Sequence, residues 1–183
     1  MGLGTSLAFA VFQARGSVFS SDFLTILLIS AFTCGMGFIV HELAHRVVAR
    51  AYGAEAHFIA NDQYLLISIV LAFTGFFIAA PGAVWHRGYL TIRQGGLIAL
   101  AGPASNFVLA VLFLLLFFIA PWELLQLLAF VGYNINAWLG LFNMIPAGPF
   151  DGAKVLNWDW RVFAVAVSIG IGLTFVLSRI IAL

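Results

Sequence analysis

His41, Glu42 and His45 stand in the order His-Glu-Leu-Ala-His, inside the apolar stretch GFIVHELAHRVVAR at 37–50. On a helix, residues four apart lie on one face, one above the other. Two imidazoles at 41 and 45 can therefore bind one Zn²⁺. Glu42, turned about 100° from His41, can reach a water at that metal from the side. The competing reading is a pair of histidines satisfied by packing and hydrogen bonds. The surroundings weigh against it. Phe23 to Val40 carries no charge, and an ionisable group at membrane depth costs roughly 2.5–3.5 kcal/mol on insertion scales.

A catalytic zinc needs a third protein ligand and an open position. Asp22, Glu55, Asp62, Glu123 and Asp159 all lie at segment ends or in loops. Asp151 differs. It follows the uncharged window Leu124–Phe150, inside NMIPAGPFDGAKV. Pro146 and Pro149 break the helix there, and Gly152 permits a sharp turn. Asp151 would then enter the bundle at the depth of His41 and His45, which makes it the third ligand by elimination. The competing reading is an interfacial Asp capping a turn beside Lys154. His57 and His86 are rival donors, in segments that read as loop or interface.

The elements that must hold these groups are lipid-embedded helices. The 183-residue chain is 63% hydrophobic and 8% charged, against about 25% charged in soluble domains. Its mean hydropathy is +1.10. A net charge of +1 without a Lys or Arg run argues against a nucleic-acid partner. The single cysteine, Cys34, reads as a small buried residue. Uncharged windows predict spans at 23–40 (continuing helically to Arg50), 97–122, 124–150 and 162–178. Ser20, Ser21 and Asp22 offer N-cap chemistry before the first, and Gly53 a stop. Residues 1–12 lack a basic n-region and a cleavage site and are short of the 20 or so residues a span needs. They read as a surface helix, a strand or the remnant of a longer span.

With the end of the first helix cytoplasmic, Arg46, Arg50, Arg87, Arg93, Lys154 and Arg161 lie inside, and Arg15 and Arg179 outside. This requires residues 54–96 to begin and end on one side. The window Tyr64–Trp85, broken by Gly75, Pro81 and Gly82, then reads as a short helix near 62–73 followed by an extended piece dipping into the membrane. Such backbone is tolerated where it lines a cavity or is buried in protein. An ordinary span is the alternative, and it would invert everything downstream. Asn106, Asn136 and Asn143 are amides in apolar helices; for Asn136 a role as interhelical glue weighs at least as much as a catalytic one.

HELAH on an apolar helix, AGPASN opening the next, and FNMIPAGPFDG closing a third resemble, in this order, the site-2 protease family of intramembrane zinc metalloproteases. The resemblance spans roughly 20–160. It implies His41, His45 and Asp151 as zinc ligands and Glu42 as the catalytic base. Asn106 and Asn143 are implied to orient substrate or stabilise the reacting carbonyl. It also implies a three-helix catalytic core facing the cytoplasm, with a membrane-embedded β element after the HExxH helix. The form expected is a minimal one, without PDZ or nucleotide-sensing domains. GTSLAFAVF is similar to the tail of a first span that some relatives carry.

The combined expectation is an all-α polytopic membrane protein of one domain, 1–183. It has a three-helix catalytic core at about 20–156, a C-terminal span at about 160–180, and a re-entrant or β element around 76–92. Its expected function is zinc-dependent endoproteolysis, with one Zn²⁺ per chain, within or next to a transmembrane helix of a protein substrate in the bilayer. A non-proteolytic metal-binding scaffold or transporter is the alternative; transporters usually show repeats, and none is visible. A CAAX-processing type of HExxH protease is disfavoured by the Asp-Gly element.

Overall fold

Lipid offers backbone amides no partners, so an apolar chain in it must close its hydrogen bonds within helices or a paired sheet. The computed structural model describes residues 2–15, 17–60, 62–77, 82–87, 90–177 and 179, with backbone alone described at 55–60, 62, 64, 82–87 and 176. The order of elements is α1 (Gly2–Gln13), α2 (Phe23–Ser30), a π-helical segment (Ala31–Gly35), α3 (Met36–Ala51), β1 (Glu55–Ala60), α4 (Asp62–Phe73), β2 (Gly82–Arg87), α5 (Ile92–Ile119), α6 (Glu123–Asn143), α7 (Asp151–Trp158) and α8 (Trp160–Ile171). A second π-helical segment, Gly172–Leu177, follows.

Among the described residues, three helices are long and apolar enough to cross a membrane: the continuous rod Phe23–Ala51, Ile92–Ile119 and Glu123–Asn143. The rod has 29 residues, about 43 Å at 1.5 Å per residue, which exceeds a hydrocarbon core of about 30 Å. One face of it leaves Leu24, Leu28, Phe32, Leu43 and Val47 exposed, while Cys34, Phe38, His41, His45 and Ala49 are buried. Lipid suits the first face and the protein interior takes the second. The helix α5 is the hub, packed against α3, α6 and α7. A capping box starts it: Thr91 Oγ1 accepts from Gln94 N, and Gln94 Oε1 accepts from Thr91 N. Asp159 caps α8 by accepting from Arg161 N at 2.8 Å. The Tyr133 hydroxyl donates to the Leu173 carbonyl, tying the second π-helical segment to α6.

Four local expectations change. Asp22 stands at the N-cap position but makes no capping bond; its carboxylate takes the Ser21 hydroxyl. The Phe23 amide is satisfied instead by the Ser20 carbonyl, in a backbone turn. Next, α1 is not a surface helix or strand, because it packs on α2 and α4 with Thr5, Ser6, Ala8, Phe9, Ala10 and Val11 buried. Its small side chains permit that approach. The segment after Gly53 is not a loop: β1 pairs antiparallel with β2, Glu55 opposite Arg87 and Ala60 opposite Gly82. The extended piece expected at 75–86 thus contains a strand, and residues 78–81 lie outside the described ones. Finally, the sharp turn before α7 falls at Gly148, with φ +59°. Gly152 is helical and serves close packing, since a Cβ there would stand 2.2 Å from the Met144 carbonyl oxygen.

Candidate metal centre

The rod brings His41 and His45 to its buried side, toward α5. The end of α6 and the turn through Gly148 deliver Asp151 as the first residue of α7. A carboxylate at a helix N-terminus also meets a favourable dipole. These three residues, more than a hundred apart in sequence at the extremes, meet at one point. His41 Nε2 and His45 Nε2 are 3.0 Å apart. Asp151 Oδ2 lies 3.3 Å from the first and 3.2 Å from the second.

The other ring nitrogens decide what those atoms are. His41 Nδ1 lies 2.6 Å from Asn106 Oδ1, and His45 Nδ1 lies 2.7 Å from the Ile98 carbonyl oxygen. Both partners accept, so each Nδ1 carries the hydrogen and donates. Each neutral imidazole then presents a bare lone pair at Nε2. Two lone pairs and a carboxylate oxygen facing one another in a buried place repel unless a cation or protons stand among them.

The spacing fits an ion. Metal bonds of about 2.0–2.1 Å at tetrahedral angles put ligand atoms about 3.3 Å apart, which the three separations match within a few tenths of an ångström. Space for it is kept by Gly102 of α5. A Cβ there would stand 2.4 Å from His45 Nε2 and 2.5 Å from His41 Nε2, intruding on both metal-facing nitrogens. One residue on, Pro103 lacks the amide hydrogen that the Ala99 carbonyl would take, while the neighbouring Ile98 carbonyl accepts from His45. His41, His45 and Asp151 thus lie close enough to bind a metal ion.

Glu42 is half-buried beside this cluster, within electrostatic reach of His41, His45, Asp151 and Lys154. Its Oε2 is buried without a hydrogen-bond partner among the described residues. Asn106 is fully buried behind His41. It spends its oxygen on that imidazole and its amide hydrogens on the Gly37 carbonyl and Asn136. Asn143 ends α6, half-buried, its amide donating back to the Leu139 carbonyl at 2.8 Å. The side chains of His57 and His86 lie outside the described residues. For Asn136, which the sequence reads as interhelical glue at least as readily as catalytic, the structure shows a fully buried side chain bonded to Asn106. The signal available was an amide in the middle of an apolar helix.

A bundle of apolar helices around a His, His, Asp donor set defines a membrane metalloprotein. The chain is 43% identical over 145 residues to "Putative zinc metalloprotease MJ0611" of Methanocaldococcus jannaschii, covering 78% of this chain and 76% of that one. It is 31% identical over 157 residues to "Putative zinc metalloprotease YwhC" of Bacillus subtilis, covering 74% and 68%. It is also 31% identical over 144 residues to "Zinc metalloprotease MJ0392" of M. jannaschii, 75% of this chain but 35% of that longer one. No family model matches, and no solved structure matches. The chain belongs to the site-2 protease family of zinc metalloproteases. Its cofactor is zinc, and a protein is its substrate.

Proposed function

We propose that this protein is an intramembrane endopeptidase that cuts a peptide bond within or next to a transmembrane helix of its substrate, in regulated proteolysis. The observation that carries the reading is the convergence of His41 Nε2, His45 Nε2 and Asp151 Oδ2 within 3.3 Å, with both histidines on a helix long enough to cross a bilayer. His41, His45 and Asp151 hold one Zn²⁺ per chain. When bound, zinc supplies Lewis acidity that makes water nucleophilic near neutral pH and polarises the scissile carbonyl. Glu42 takes the proton from the attacking water and passes it to the leaving amide nitrogen. The C–N bond breaks, yielding a carboxylate and an amine. Its unpartnered oxygen supports this role, since a carboxylate that must accept a proton cannot be occupied by another donor.

Asn106 acts through His41 and not on the substrate, because its hydrogen bonds are already used. Asn143, half-buried at the end of α6, is the amide left to contact substrate. The placement of Arg46, Arg50, Lys154 and Arg161 supports a site opening toward the cytoplasm. An extended substrate adds to β2 on the edge that β1 does not occupy.

The test is a paired measurement on purified protein. Zinc near one per chain is expected, and Glu42→Gln should keep the metal and lose cleavage of a model transmembrane substrate. Normal cleavage by Glu42→Gln would sink the mechanism. Bound zinc with no cleavage by the unaltered protein would favour the metal-binding scaffold or transporter instead.

A further inference from the structure

Behind His41 runs a chain of amides whose polarity is set at its far end. Asn136 of α6 donates from Nδ2 to the Gly132 carbonyl at 2.9 Å and more weakly to the Thr33 carbonyl at 3.5 Å. Backbone carbonyls only accept, so this fixes which end of the Asn136 amide is oxygen. That oxygen accepts from Asn106 Nδ2 at 3.0 Å, and the same nitrogen donates to the Gly37 carbonyl at 3.2 Å. Asn106 Oδ1 is thereby turned to His41 Nδ1 at 2.6 Å. Both asparagines are fully buried, so water does not arbitrate. Gly37 makes room, since a Cβ there would stand 2.3 Å from Asn136 Oδ1.

A flipped Asn106 would present its NH₂ to His41 Nδ1 and its oxygen to two other oxygens. His41 would then have to carry its hydrogen on Nε2, and an Nε2–H cannot ligate a metal. We infer that Asn136 is a positioning residue for the zinc site, locking the Asn106 amide and through it the His41 tautomer that leaves Nε2 free. The inference rests on the reading of His41 as a zinc ligand. Outer partners of metal-bound histidines typically change metal affinity 10–100-fold when removed. Asn136 stands one step further out, but it supplies the shorter of the two contacts that hold Asn106.

The test compares zinc affinity, by competition with a chelator, in detergent-purified full chain. Asn136→Leu keeps the size and removes the acceptor; zinc affinity should fall by roughly tenfold or more. Asn136→Asp keeps an oxygen toward Asn106 and should stay within a few-fold of the unaltered protein. Nitrogen-15 spectra of zinc-free protein should show His41 protonated at Nδ1, and a mixture of tautomers in Asn136→Leu. If that variant does not fold, Asn136→Thr serves. Its hydroxyl can bond the carbonyl four residues back, here Gly132, but is too short to reach Asn106. Unchanged affinity in the Leu or Thr variant, or equal loss in the Asp variant, overturns the inference. An unaltered protein that binds no zinc overturns instead the ligand reading beneath it.

Discussion

Single atoms decide this site. Gly102→Ala adds one methyl within 2.5 Å of both metal-facing nitrogens, so zinc content should collapse while the helices still form; metal analysis beside circular dichroism reads both. Asp151→Asn replaces a charged ligand with a neutral one, and zinc affinity should drop at least tenfold, as chelator competition would measure. Undiminished affinity there would remove Asp151 from the ligand set. Much of this was readable in the chain. His41 and His45 announce themselves by spacing, and Asp151 by standing at the end of a long uncharged window. The bonding of Asn136 was not readable, because its partners, Asn106 and the Thr33 carbonyl, lie 30 and 103 residues away. Nothing in an apolar helix tells which of its amides will meet which.

At the scale of elements, the rod through 23–51 looks from its sequence like one regular helix. The π-helical turn at Ala31–Gly35 carries an extra residue that resets the phase between the part packed on α1 and the part bearing His41 and His45. Inserting one alanine after Met36, in the α-helical part beyond that turn, should rotate His41 and His45 by about 100° against the part packed on α1. Zinc binding should be lost or α1 should detach, which limited proteolysis and metal content together detect. No periodicity argument reveals such a turn, since five residues cannot display a changed period. The strand β1 was missed for a related reason: it exists by pairing with β2, some 25 residues on. The short helix Asp62–Phe73, by contrast, fell where the Gly and Pro breaks put it.

On the scale of the molecule, the placement of Lys and Arg predicts an orientation. The end of the rod with Arg46 and Arg50 should face the cytoplasm. Cys34 is the sole cysteine and is fully buried, so added thiols can be read against a low background. A cysteine in place of exposed Tyr52 should react with an impermeant reagent in inverted vesicles. One at Ser20 should react in right-side-out vesicles, and the opposite pattern would reverse the proposed topology. The broad architecture was legible because lipid permits so few solutions: the uncharged windows 23–40, 97–122 and 124–150 fall largely on the three long apolar helices.

The two imidazoles are not held alike. His45 leans on the Ile98 carbonyl, part of the α5 main chain, which cannot turn without unwinding a helix. His41 leans on a side-chain amide, which turns about one bond. The site therefore has a stiff side and a soft side. Any distortion that slides α6 along α5 will reach His41 before His45. Disturbing α6 should therefore shift the His41 imidazole while the His45 contact to Ile98 stays, which nitrogen-15 spectra of the zinc-free protein would show as a change at His41 alone.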